Sequence, residues 1–357
     1  MKHLPPRFFT FLSFLTFLFF LSSCDEDPIA EQHLETDFAH HVMPLDYDFT
    51  LQLDDAIVKG NLMLVPIAGD ENFFAFHAHL GDYMPLSEAL ENKIVTVEES
   101  GKRDSNPGQR SRGIGANSSP FISWENNSSG SDSGAAVNML YATNESETDT
   151  VYFMAGEVVD GGKQDRVIAQ DLILPPGESA DISVFCVEHG RWQYEGSSST
   201  FAWGATAGNS IRKKDNQQDV WDDVKEYNNG VGENSSTGTY MAFKDNDEVK
   251  KSLEDQKQVF LAFAEESDIV GIMAISGDAI LGCDIFASHQ LFRTHFDGLL
   301  DSYLSESTYR GEAPVMADAD MGAFFQKAKT SFKGRTIPDG SKGLVHANRN
   351  IHLAVFE

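Results

Sequence analysis

Basic residues are scarce in this 357-residue chain: 27 Lys and Arg stand against 55 Asp and Glu, a formal net charge of −28. So acidic a protein lacks the cationic footprint that nucleic acid and anionic headgroups require, which excludes nucleic-acid partners. Cysteine is scarcer still, with three residues at 24, 186 and 283. That excludes a disulfide-stapled scaffold. A single Cys186–Cys283 bridge and two buried free thiols both stay open. No apolar run reaches the roughly 20 residues that a membrane-spanning helix needs. The sequence also lacks internal repeats and the D-x-[DN]-x-[DN]-G-x5-E spacing of a calcium loop. Asp245–Glu248 and Asp318–Asp320 read instead as polar helix starts.

The first 24 residues carry the clearest pattern. Lys2 and Arg7 precede the apolar run Phe8–Leu21, a length suited to a secretion signal. Leu21-Ser22-Ser23-Cys24 then resembles the bacterial lipoprotein box, in which the cysteine becomes the acylated first residue of the mature chain. Several acyl chains on one residue make a stable anchor. Residues 1–23 are therefore expected to be a signal peptide, and residues 24–60 a lipidated cysteine with its tether. The implied location is the bacterial cell envelope, periplasmic or cell-surface side, with the membrane as partner through the lipid on Cys24. Lys2 and Arg7 leave with the signal, so the mature chain has 25 basic and 55 acidic residues and a net charge of −30.

Residues 61–357 read as one α+β domain: an antiparallel sheet or sandwich in the first half, helices plus a hairpin in the second. Runs such as NLMLVPI (61–67), FFAFHAHL (73–80), KIVTVE (93–98), AAVNMLYATN, DTVYFMAGEVV, RVIAQDLILP and ADISVFCVE read as strands. Pro85–Leu90 reads as a short helix. Residues 101–134, rich in Asn, Ser and Gly, read as a flexible insertion, with a short strand expected at Phe121–Trp124. Later, Val220, Trp221, Val224 and Tyr227 share a helical face. Apolar stripes of helical spacing run over 291–304 and 321–332, and Gly277-Asp278 closes a hairpin.

Chemistry concentrates in residues 156–192, GEVVDGGKQDRVIAQDLILPPGESADISVFCVEHGRW. Pairing about a turn at Pro175-Pro176-Gly177 sets residues near 165 opposite residues near 188. Gln164, Arg166, Glu188, Arg191 and Trp192 then gather at one edge of the sheet. An arginine fork with a carboxylate, an amide and an indole face suits a planar or anionic small molecule. The same set also suits a structural ion pair with a core tryptophan. His77-Ala78-His79, read on a strand, puts two imidazoles on one face, but no third ligand is evident and no metal is assigned. Cys186 and His189 lie three apart, on opposite faces of a strand, which argues against a Cys–His nucleophile.

The same segment resembles the ADP-ribosylglycohydrolase (ARG) and rhodanese-phosphatase-associated protein family, a domain of unknown function. Its pattern of a GE turn, GGKQNR, a proline-glycine turn and CVExGRW is matched by Gly156-Glu157, Gly161–Arg166 and Cys186–Trp192, with Asp165 in place of asparagine. Further similarity lies at Tyr83–Leu90, Gln218–Trp221, Gly282–Phe286 and Ser302-Tyr303, so it spans about 61 to 305. The resemblance implies association with ADP-ribose- and NAD-linked enzymes and no assigned reaction; cofactors are left unknown. The leading expectation is an envelope-anchored module that binds a small ligand or an envelope protein through Gln164, Arg166, Glu188, Arg191 and Trp192. The alternative is a hydrolase of a nucleotide-like or phosphoryl-bearing substrate, with Glu188 as general base.

Overall fold

The apolar run Ile269–Ser276 is buried at every position, as expected of a strand covered on both faces. It forms the middle of a seven-stranded antiparallel sheet in the computed structural model, which describes residues 46–100, 114–115, 138–191, 193, 199–233 and 235–357. The order is Phe49–Leu51, Leu62–Gly69, Ile269–Ser276, Ala279–Phe286, Arg349–Val355 and Lys342–His346, with Ile57–Lys59 also paired to Leu62–Gly69. Gly277, at φ +60°, turns the central hairpin. The helix His289–Arg310, capped by Ser288 accepting the Leu291 amide at 3.1 Å, packs on one face through Phe292, Phe296, Leu299, Leu300 and Tyr303. The helix Asp318–Gly334 covers the other through Met321, Phe325, Ala328 and Phe332.

A second sheet has six strands in the order Phe201–Thr206, Glu157–Gly161, Arg166–Ile168, Ser179–Cys186, Met139–Asn144 and Val95–Glu99. Its outer strands meet at a bridge between Glu98 and Thr200, so the sheet closes into a barrel. Alternation points Val95, Val97, Val159, Ile168, Ile182 and Val184 inward. Val158, Val167 and Val187 face outward onto the helix Gln217–Val231. A third sheet, Tyr83–Pro85, Thr150–Phe153, Leu172–Leu174 and Ile114–Gly115, packs Val151, Phe153, Leu172 and Leu174 into the inward cluster. Fold class therefore follows the sequence: α+β, antiparallel sheets first, helices in the second half.

Several elements differ from the sequence reading. FFAFHAHL is not a strand: Glu71–His77 is a helix, because Asp70 accepts the Phe73 amide at 2.6 Å as its N-cap. Phe73 and His77, four residues apart, are its buried positions. DTVYFMAGEVV and RVIAQDLILP each divide into two strands that leave one sheet for another, at 154–156 and 169–171. Gly156, at φ +98°, serves the first switch, and its amide donates to Ile168 O at 2.8 Å beside the second. The domain begins earlier than residue 61, since the buried Phe49 already pairs with Gly69. Within the 101–134 insertion, Ile114–Gly115 pairs with Leu172–Ile173 and is not a free loop. Cys24, Phe121–Trp124 and Trp192 lie outside the described residues.

Candidate functional site

The strand Arg166–Ile168 pairs with Ser179–Cys186 in the register Arg166↔Cys186, one residue from that of the symmetric turn. This still brings Gln164 and Asp165 against Glu188. The Gln164 side-chain amide donates to Glu188 O at 2.6 Å, and the Asp165 amide donates to Glu188 Oε2 at 3.1 Å. Arg191 reaches back over the same spot. Its Nε and Nη2 lie 2.8 and 2.7 Å from Glu188 Oε2, its Nη2 lies 2.9 Å from Asp165 Oδ1, and its Nη1 donates to Gly162 O at 3.0 Å. Thr239 Oγ1 donates to the other Asp165 oxygen at 2.5 Å. All four polar residues are buried, Glu188 at 3 % and Arg191 at 8 % exposure. Burial lifts the Asp165 carboxyl to about 7, and the Glu188 charge beside it pushes the same way.

Arg166 does not join that pair. Alternation turns it to the inside of the barrel, where it is fully buried opposite Cys186. Its Nη1 donates to Gln164 O at 2.9 Å, and its Nη2 lies 3.7 Å from Glu99 Oε1. That carboxylate oxygen accepts the Lys163 amide at 2.8 Å. Gly162, at φ +51°, permits the approach: a Cβ there would stand 2.3 Å from the Phe201 ring and 2.9 Å from Glu99 Oε1. Burial raises the Cys186 thiol to about 11, against the opposing pull of Arg166, so it is no thiolate nucleophile at neutral pH. Cys186 and Cys283 are not bridged to each other and sit in separate places, the second in the core under the Asp318–Gly334 helix.

A second ionic network fills the place where the three sheets meet. Asp171, at the switch between two strands, accepts the Tyr152 hydroxyl at 2.6 Å, the Ala155 amide at 2.7 Å and His352 Nδ1 at 2.8 Å. His352 Nε2 lies 3.0 Å from Asp284, which also takes Arg212 at 2.8 Å and the Tyr303 hydroxyl. Burial opposes the His352 charge, but the two carboxylates outweigh it and raise its pKa to about 8. Burial likewise opposes ionisation of Asp284, yet Arg212 and His352 hold it well below the usual carboxylate range. Glu157 next door is pushed up to about 8 by burial, with Asp171 adding to the rise. Phe286 stacks on His352 with ring centroids 4.3 Å apart.

Of the residues singled out from sequence, Gln164, Glu188 and Arg191 come together, with Arg166 on the opposite face of the same strand. The partners that sequence reasoning missed are Glu99, Asp165, Thr239 and the whole junction network. Some signal existed: Glu99 continues the inward phase of Val95 and Val97, and Asp171, Asp284 and His352 are polar residues within apolar runs of the sequence. His77 sits in an aromatic cluster with Tyr47, Phe73 and Phe76, its pKa lowered to about 4 by burial, while His79 is exposed. The two imidazoles thus share no strand face. Among the described residues, no group of three or more His, Cys, Asp or Glu could hold a metal ion, and no helix is long and apolar enough to cross a membrane.

The model of the ARG and Rhodanese-Phosphatase-superfamily-associated Protein domain matches residues 50–355. No curated protein and no solved structure matches the chain.

Proposed function

We propose that this chain, which belongs to the ARG and Rhodanese-Phosphatase-superfamily-associated Protein domain family, is a lipid-anchored module of the bacterial cell envelope. In this reading it binds a small ligand or partner around Gln164, Arg166, Glu188 and Arg191 and does not turn it over. One observation carries the choice of binding over hydrolysis. Glu188 Oε2 is taken by Arg191 at 2.7 and 2.8 Å and by the Asp165 amide, and the residue is 3 % exposed. A general base has to reach a substrate proton or a water, and this carboxylate is committed to a buried ion pair. Arg166 Nε and Nη2, by contrast, have no hydrogen-bond partner and can still donate to a ligand oxygen, which suits recognition.

The anchoring half of the reading rests on the Leu21–Cys24 box. Metabolic labelling with a fatty-acid analogue should mark the wild-type chain and not Cys24→Ser; label retained by the variant would overturn it. For the binding half, thermal-shift titration with nucleotides, sugars and phosphoesters should yield a ligand that stabilises the protein and is recovered unchanged. Turnover by wild type that Glu188→Gln abolishes would establish the hydrolase instead.

A further inference from the structure

Arg166 differs from the other buried arginines in what its guanidinium edge touches. Arg191 and Arg212 each set a carboxylate against Nη2 at 2.9 Å or less. On Arg166, neither Nε nor Nη2 has a hydrogen-bond partner, although the side chain is fully buried. These two groups form the side-on fork of a guanidinium, two parallel N–H bonds spaced for the two oxygens of a carboxylate or phosphate. Glu99 faces this edge from 3.7 Å, outside hydrogen-bond reach, and its oxygen is held by the Lys163 amide. The fork therefore points into the barrel with its strongest directional bonds unmade.

The barrel is closed beside this site. Among the described residues, the strand pairing across the seam between Val95–Glu99 and Phe201–Thr206 is the bridge from Glu98 to Thr200. The Glu99 amide reaches Ser199 O at 3.4 Å, and the Gly162 amide reaches Thr200 O at the same distance. Both are long for N–H···O bonds, which cluster near 2.9 Å. The Arg166 fork, the Glu99 carboxylate and Gly162 all lie beside that seam.

We infer that the Nε–Nη2 edge of Arg166, at the seam end of the barrel, is the seat for an oxyanion group, carboxylate or phosphate, of the ligand, with Glu99 as its built-in competitor. The inference rests on the binding reading above and narrows it. A neutral ligand leaves the fork as it is, whereas an oxyanion makes both missing bonds. The Glu99 charge repels the incoming anion, so affinity is set by the balance between the two acids for one guanidinium.

The test uses the full chain in detergent and isothermal titration with sodium phosphate and sodium acetate, against sodium chloride at matched ionic strength. One of the two anions should bind saturably with 1:1 stoichiometry, and which one does so identifies the group. Glu99→Gln keeps an oxygen for the Lys163 amide and removes the competing charge, so the same anion should bind about tenfold tighter. Arg166→Lys keeps the charge but loses the fork and should weaken binding at least about tenfold in protein whose circular dichroism is unchanged. Absence of saturable binding to both wild type and Glu99→Gln overturns the seat, as does equal affinity in Arg166→Lys. If the lysine variant does not fold, the Glu99→Gln comparison decides alone, and unchanged affinity overturns the seat. Adenosine and glucose, titrated in parallel, separate the two levels. A neutral ligand that binds while both anions fail overturns the seat and leaves the binding reading standing. Silence of all four probes counts against both.

Discussion

The two buried ionic networks of this protein are built from similar parts and finished differently. At the three-sheet junction, Asp284 sits among Arg212, His352 and Tyr303, and Asp171 among His352, Tyr152 and the Ala155 amide. Two acids balance an arginine and a protonated histidine, and every one of these residues is at most 2 % exposed. At the barrel's end, Arg191 is as fully engaged as Arg212, but Arg166 keeps two N–H groups unmatched. Buried polar groups are costly unless paired. The junction meets that requirement internally and reads as a staple that joins sheets at the strand switches. The barrel end meets it only in part, which makes it the better place to look for a ligand.

The comparison breaks most visibly under Asp284→Asn. The variant leaves Arg212 and His352 short of a charge in a site without water access. Stability should fall by about 3–5 kcal/mol, read from urea denaturation. A loss below about 1 kcal/mol would mean that the junction is not a staple. Glu188→Gln should cost less, about 2 kcal/mol, because Arg191 keeps Asp165 and the Gly162 carbonyl. If that variant holds its stability while losing ligand, Glu188 belongs with Arg166 among the binding groups.

Titration sharpens the contrast further. The folded-state pKa of His352, about 8, lies above the ordinary value of 6.5. Its contribution is complete below pH 6.5 and is lost as pH rises through 8, a loss of about 2 kcal/mol. Glu157, raised to about 8, has the same sign: its contribution is present at low pH and lost as pH rises through 8. Asp165, raised to about 7, has already lost its share by that point. Between pH 7 and 8.5 the decline therefore belongs to the junction, and Glu157→Gln should flatten part of it. On the acid side, Asp284 and Asp171 are held below their usual range, so their contribution disappears as pH falls through those lowered values. Denaturation midpoints flat from pH 7 to 8.5 would show that the His352 charge is not coupled to folding.

How far these features can be read from sequence depends on how local their causes are. The helices His289–Arg310 and Asp318–Gly334 and the hairpin at Gly277 follow from spacing and turn chemistry within a few residues. The Glu71–His77 helix was missed because its apolar residues mimic a strand run while its decisive signal, the Asp70 cap, lies just outside it. Strand switching at 154–156 and 169–171 has a non-local cause, since it needs two segments to change sheets together and a partner for Asp171 at residue 352. The grouping of Gln164, Glu188 and Arg191 was legible because a proline-glycine turn folds two nearby strands together. The Glu99–Arg166 contact spans 67 residues and a barrel closure, which no periodicity encodes. Facing direction also decided Arg166: one residue of alternation separates it from Asp165 and places it inside the barrel.

The smallest effect is expected where neither network reaches. Replacing residues 101–134 with a Gly/Ser linker removes a segment rich in Asn, Ser and Gly. It also removes the Ile114–Gly115 strand, which pairs with Leu172–Ile173 at an edge of the four-stranded sheet. Ladder bonds at an edge return to water when the partner is lost, and the net worth of each is about 1 kcal/mol. Leu172 and Ile173 keep their other partners, Phe153 and Tyr152, on the opposite side. The melting temperature should therefore drop by no more than about 2–4 °C, with one cooperative transition. Asp171 immediately precedes the strand Leu172–Leu174, so the junction network supplies a second reading of the same variant. If the edge strand helps to hold Asp171 against His352, the decline between pH 7 and 8.5 will shrink along with the melting temperature. If the two are independent, the pH dependence will match that of the wild type.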